Sequence, residues 1–127
     1  MNLNQITIPS LDLEKSVSFY KTLGLHLIVD ALPNYARFEC PDGDSTFSIH
    51  KVDELPKGNG ITIYFEDDNL DVLVSSLKQK GITFSQLPED KSWLWREAHL
   101  QDLDGNHIIL YKAGTNRKNP PWRIKKD

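Results

Sequence analysis

Trp93-Leu94-Trp95-Arg96-Glu97 places two tryptophans two residues apart, with a carboxylate just beyond them. On an extended strand that spacing sends both rings to one side, where flat apolar surface suits a planar ligand. The competing reading has either ring sealing the core or a subunit contact. Arg37, two residues from Tyr35, is placed to grip a ligand carboxylate or phosphate through its planar fork, or to pair with Glu39 or Glu97 at the surface. Tyr64 and Tyr111 are hydrogen-bond donors or proton carriers where a ligand lies over them, and packing residues where none does. His50 and Glu97 are suited to take a proton from a bound substrate; His50 is otherwise a neutral residue at a strand end. The sequence has no Ser/His/Asp pattern at recognisable spacing, no phosphate-cradling glycine loop and no helical His-Glu-x-x-His, so common hydrolase, kinase and metalloprotease readings find no support.

The elements that must position these residues come in two similar sets. Residues 5 to 25, QITIPSLDLEKSVSFYKTLGL, predict a strand, a turn at Pro9-Ser10, and a helix opening near Asp12 and closing at Gly24, where glycine suits a left-handed cap. Residues 62 to 82, TIYFEDDNLDVLVSSLKQKGI, predict the same series. One constant offset pairs Gln5 with Thr62, Asp12 with Asn69, Val17 with Val74 and Gly24 with Gly81. Extended runs divided by an Asp-Gly turn follow each helix: ARFECPDGDSTFSIHKV in the first half, EAHLQDLDGNHIILYKA in the second. Two βαβββ modules follow from this. We expect an α+β fold with one domain over 1–115, module one being 1–57 and module two 58–115, and a tail over 116–127.

Strand alternation assigns the faces. Ile6, Ile8, Phe47, Ile49, Ile61, Ile63, Phe65, Ala98, Leu100, Ile108 and Leu110 fall on one side, which the helices should cover. The other side takes Gln5, Thr7, Tyr35, Arg37, Glu39, Ser48, His50, Thr62, Tyr64, Glu66, Trp95, Glu97, His99, His107, Ile109 and Tyr111. Such a mixture of aromatic and titratable groups suits a lined cavity better than a merely solvated face.

Bulk composition narrows the class. A chain of 127 residues, 39% hydrophobic and 26% charged, is an ordinary globular domain. The opening, MNLNQITIPSLDLEKS, lacks a cationic region followed by an apolar stretch, so a cytoplasmic protein without membrane contact is expected. Cys40 is the only cysteine, which excludes an internal disulfide and a multi-cysteine metal site. A net charge of −3 argues against nucleic acid, and the basic tail (Arg117, Lys118, Arg123, Lys125, Lys126) reads as solvated. Within that tail, Asn119-Pro120-Pro121-Trp122-Arg123 is expected to fold back over the cavity rim or a partner subunit, since Trp122 is costly to leave wet.

The segment N-Q-I-T-I-P-S-L-D-L-E-K-S-V-S-F-Y-K-T-L-G-L resembles the opening of vicinal oxygen chelate proteins, the glyoxalase/bleomycin resistance/dioxygenase family. L-Q-D-L-D-G-N-H-I-I-L-Y resembles their Asp-Pro-Asp-Gly-Asn turn and final strand, with Leu103 in place of proline. The resemblance covers roughly residues 3 to 113. It implies two modules forming an incomplete barrel, a homodimer, and in active members a divalent metal held by one ligand on each module's first strand and one on its last. Those positions fall on Gln5, Ser48, Thr62 and Ile109, a poor set: hydroxyls are weak neutral ligands and isoleucine cannot coordinate. The resemblance therefore implies a protein without a cofactor that binds a small planar or anionic molecule through Tyr35, Arg37, Tyr64, Trp95 and Tyr111, beside Glu97. The alternative is an isomerase, lyase or dioxygenase. It would use zinc, nickel, manganese or iron on relocated ligands Gln5, His50 and Glu66, or a metal-free base, His50 or Glu97. A third reading makes the aromatics a protein interface.

Overall fold

The computed structural model describes residues 1–124; Lys125 and Lys126 of the basic tail lie outside the described residues. Its elements run β1 (Gln5–Ser10), α1 (Leu13–Leu23), β2 (His26–Ala31), β3 (Tyr35–Glu39), β4 (Thr46–Lys51), β5 (Thr62–Glu66), α2 (Leu70–Gln79), β6 (Gln86–Asp90), β7 (Arg96–Gln101) and β8 (His107–Lys112), closed by a short 3-10 turn at Gly114–Asn116. The strands form two open four-stranded mixed sheets, ordered β1-β4-β3-β2 and β5-β8-β7-β6. In each, the first strand of the βαβββ set runs parallel to the last, and the remaining pairs are antiparallel. The described chain divides into two compact units, residues 1–60 with 102–105, and residues 61–101 with 106–124.

In the first unit, register lines Ile6, Phe47 and Phe38 in one row and Ile8, Ile49 and Ala36 in the next. α1 lies over β2, β3 and β4. Tyr20 on α1 is fully buried and contacts the rings of Phe38 and Phe47. Its helix opens where the Asp12 side chain accepts the Lys15 N–H and closes at Gly24, whose φ of 116° needs a residue without a Cβ. The expected turn at Pro9-Ser10 does not form there: β1 continues to Ser10. Pro9 lies on the sheet's edge strand, where its missing N–H breaks no ladder.

The Asp102–Gly105 turn belongs to this unit and is structural. Asp102 Oδ2 accepts the Tyr20 hydroxyl (2.5 Å), Asp102 Oδ1 the Asp104 N–H (2.9 Å), and the two Asp104 oxygens the Leu11 N–H (2.9 Å) and the Ser16 hydroxyl (3.2 Å). The Asp-Leu-Asp-Gly run that carries part of the family resemblance thus secures the start and middle of α1. Burial first, then the Asp102 charge and hydrogen bond, raise the Tyr20 phenol far above its ordinary range.

In the second unit α2 packs over β6, β7 and β8, with Leu70, Val74 and Leu77 against the face bearing Ile63, Ala98, Leu100, Ile108 and Leu110. Each of the Leu, Ile and Val side chains among them contributes about 1.5–3 kcal/mol on burial. Ile61, expected on this face, is exposed because β5 begins one residue later. Asn69 precedes α2 without a side-chain cap; Asp67 instead accepts the Asn69 N–H at 2.7 Å. No described helix is long and apolar enough to cross a membrane. Cys40 is half-buried, and burial, with the Asp42 charge, pushes its thiol up, away from the reactive thiolate form.

Candidate functional site

The open face of each sheet carries the polar rows that alternation assigned to it. In the first unit Thr7, Ser48 and Arg37 share a row, with His50 and Tyr35 in a neighbouring one. Ser48 is fully buried and its hydroxyl meets Thr7 Oγ1 at 2.5 Å. Arg37 Nε donates to the Tyr35 hydroxyl at 2.9 Å, and the guanidinium carbon lies 5.5 Å from that ring's centroid. The surface partners weighed for Arg37 are engaged elsewhere: Glu39 faces His26 at 3.9 Å, and both Glu97 oxygens are occupied. The Ser48 hydroxyl first, and the Arg37 guanidinium with it, lower the Tyr35 phenol. Arg37 is thus steadied by its neighbour with its terminal N–H groups outside that bond. His50 is exposed at the end of β4.

In the second unit the rows on the open face are Thr62, His107 and Gln101; then Tyr64, Ile109 and His99; then Glu66, Tyr111 and Glu97. The tryptophan pair departs from expectation. β7 begins at Arg96, and residues 91–95 form a turn in which Lys91 N–H bonds Trp95 O (2.8 Å) and Leu94 N–H bonds Lys91 O (3.0 Å). Leu94 takes φ 68°, a strained value for a branched side chain, so the two rings do not leave one strand together. Trp93 Nε1 donates to Glu97 Oε2 at 2.6 Å, whereas Trp95 stacks on Tyr111, centroids 4.4 Å apart and planes 14° apart.

Tyr64 stands edge-on to both stacked rings, 5.9 Å from Trp95 and 5.7 Å from Tyr111. The three rings differ in access. Tyr64 is 50% exposed while Tyr111 is 6% exposed, so Tyr111 supports the surface and Tyr64 presents it. Burial first, then the Glu66 charge, push the Tyr111 phenol up. Trp95 donates its Nε1–H to Asn116 O (3.3 Å), and Glu66 faces Arg117 at 3.8 Å. The start of the tail therefore packs on this aromatic group, whereas Trp122 further on is exposed.

Two residues given no role from sequence complete the face. Glu97, 4% exposed in its side chain, bonds His99 Nε2 through Oε1 at 2.8 Å, and His99 Nδ1 meets His107 Nε2 at 3.1 Å. His107 Nδ1 is 3.5 Å from Thr62 Oγ1. Glu97-x-His99 on one strand is a legible spacing, but only the pairing of β7 with β8 brings in His107.

The positions that the resemblance assigns to a divalent metal do not fit one. Gln5 Oε1 accepts the Thr46 hydroxyl at 2.8 Å, Ser48 is bound to Thr7, Thr62 offers only a neutral hydroxyl, and Ile109 offers no donor. The relocated set fares no better. Register places His50 four residues along from Thr46, the partner of Gln5, hence roughly 13 Å away along the sheet. Glu66 is turned to Arg117 and to the Ala113 N–H. Among the described residues no three His, Cys, Asp or Glu side chains gather where an ion could sit. Of the sequence-predicted site residues, the structure brings together Tyr35, Arg37 and Ser48 in one unit, and Tyr64, Trp95, Glu97 and Tyr111 in the other.

Comparison with known proteins agrees with the fold. Residues 2–110 match the family model for the Glyoxalase/Bleomycin resistance protein/Dioxygenase superfamily. The chain is 30% identical to the Bacillus subtilis (strain 168) protein YraH, covering 88% of this chain and 98% of that one. A glyoxalase/bleomycin resistance protein/dioxygenase from Nocardioides superposes with a TM-score of 0.77 at 23% identity, over 98% of this chain and 90% of that one. The bleomycin resistance determinant encoded on the transposon Tn5 does so with a TM-score of 0.74 at 20% identity, over 88% and 98%. These two structural likenesses speak to fold alone. With the family model spanning both βαβββ units, the chain belongs to the Glyoxalase/Bleomycin resistance protein/Dioxygenase superfamily.

Proposed function

We propose that this protein binds a small planar molecule on the open aromatic face of its second unit, without a metal. The observation that carries the reading is Tyr64, half exposed and edge-on to a stacked Trp95–Tyr111 pair that is held by a hydrogen bond from Trp95 to the Asn116 carbonyl. A flat ligand laid on Tyr64 and the rim of Trp95 gains stacking and apolar burial at little entropic cost, because the rings beneath are already held. The donor chemistry at Gln5, Ser48, Thr62 and Ile109 supports the metal-free part.

A second reading, an anionic ligand, is favoured by Arg37, whose Nε is held by Tyr35 while its terminal N–H groups keep their donors for a carboxylate or phosphate. The family resemblance implies a homodimer, and this reading takes the working form to be a homodimer in the cytoplasm.

Saturation-transfer NMR with planar aromatic compounds tests the proposal. Binding that weakens about tenfold or more in Tyr64→Ala, with the melting temperature little changed, is the expected result. Binding indifferent to Tyr64→Ala but lost in Arg37→Ala would replace it with the anionic reading.

A further inference from the structure

We propose that His107 is the proton-accepting end of a Glu97–His99–His107 relay, making the open face of the second unit a metal-free general-base site for a planar carbon acid. The proposal rests on the planar-ligand reading of that face and adds a reaction to it.

With both imidazoles neutral, the hydrogen-bond sequence sets the direction of the relay. As a carboxylate, Glu97 can only accept, and it is nearly fully buried with Trp93 Nε1–H on one oxygen and His99 Nε2 on the other. His99 Nε2 therefore carries the proton, leaving its Nδ1 with a lone pair. That lone pair faces His107 Nε2 at 3.1 Å, so His107 must donate there, and its own lone pair is left on Nδ1. Among the described residues, the hydroxyl of Thr62 faces that atom at 3.5 Å, too long to hold it firmly.

Buried and doubly engaged, Glu97 reaches a ligand only through the two rings, and the same holds for His99, whose nitrogens are both occupied. His107 Nδ1 is the basic atom that remains. It lies in the row next to Tyr64: Thr62 pairs with His107, and Tyr64 follows Thr62 on the same face, about 7 Å along the strand. A ring stacked on Tyr64 can thus present an acidic C–H to Nδ1. When the proton moves to Nδ1, its electron pair stays with the substrate, and the positive charge on His107 is stabilised through His99 by the buried carboxylate. Product release returns the proton to water.

The test uses 5-nitrobenzisoxazole, a planar carbon acid. Loss of its C3 proton breaks the ring N–O bond and releases a coloured cyanophenolate, with no oxidant or metal required. Wild-type protein should turn it over above the rate of free imidazole at equal concentration, and His107→Ala should lose on the order of 100-fold. Glu97→Gln, whose amide N–H group turns toward His99 Nε2 when its oxygen accepts from Trp93, should reverse both tautomers and lose a comparable factor. His107→Asn, with a similar polar volume, covers the case of an alanine variant that does not fold. Long-range proton–nitrogen NMR should find His107 protonated at Nε2 and bare at Nδ1. Binding of 5-nitroindazole, which has the same shape without the labile bond, separates the two levels. If it binds but turnover of the benzisoxazole is absent or unchanged in the His107 variants, the relay is overturned and the binding site stands. If it does not bind, the planar-ligand reading falls and the relay with it.

Discussion

Replacing Tyr20 by phenylalanine keeps the ring among Phe19, Phe38 and Phe47 and removes a single oxygen, so no cavity of consequence opens. What is lost is a buried 2.5 Å hydrogen bond to the Asp102 carboxylate, an interaction with a charged acceptor worth about 1.5–3 kcal/mol. At neutral pH Tyr20→Phe should therefore lower unfolding free energy by about 2 kcal/mol. The pH dependence adds a second, sharper signature. The Tyr20 phenol is raised in the folded state by burial and by Asp102, while in the unfolded chain it ionises near pH ~10. Above that pH the unfolded state binds fewer protons than the folded one, so stability falls as pH rises, by about 1.4 kcal/mol per pH unit from this group. The contribution is complete below pH ~10 and is lost on going above it. Phenylalanine has no such group, and the remaining tyrosines titrate in both proteins and cancel in the comparison. Urea unfolding followed by circular dichroism at pH 7 and pH 11 should show the gap between wild type and variant shrinking to less than half. A gap under about 0.5 kcal/mol at pH 7, or one undiminished at pH 11, would refute the reasoning.

Gly24→Ala should cost about 1–2 kcal/mol, because φ 116° at the end of α1 brings a Cβ into a region that L side chains rarely adopt; thermal melting reads it. Deleting residues 115–127 should lower the melting temperature by several degrees, since it removes the Asn116 carbonyl that anchors Trp95 and the Arg117 cation beside Glu66. An unchanged melt would mean that the tail carries no packing role. Metal analysis by mass spectrometry on protein purified without chelator or affinity metal should find well under one divalent ion per chain, the same in His50→Ala. Near-stoichiometric metal that disappears in the variant would return His50 to the ligand role.

The two βαβββ sets were legible in the chain because repetition, glycine stops and strand alternation are local properties. Gly24 ends its helix as read, and Ile8, Phe47, Ile49, Ala98, Leu100, Ile108 and Leu110 are buried as alternation assigned them. The misreadings have equally local causes. Pro9 reads as a turn until the sheet order shows it on an edge strand. Two tryptophans at spacing two read as one strand face until Leu94 turns the backbone between them.

What the sequence by itself determined was the period and order of the elements, and hence which side chains could share a face of a sheet. Which of them meet was decided by register between distant strands, which no local pattern specifies. The parallel pairing of β5 with β8 and the antiparallel pairing of β7 with β8 set Tyr64, Tyr111, Glu97, His99 and His107 on one surface. In the relay proposed above, burial makes Glu97 an anchor behind two imidazoles rather than a base facing a ligand, since its side chain is only 4% exposed.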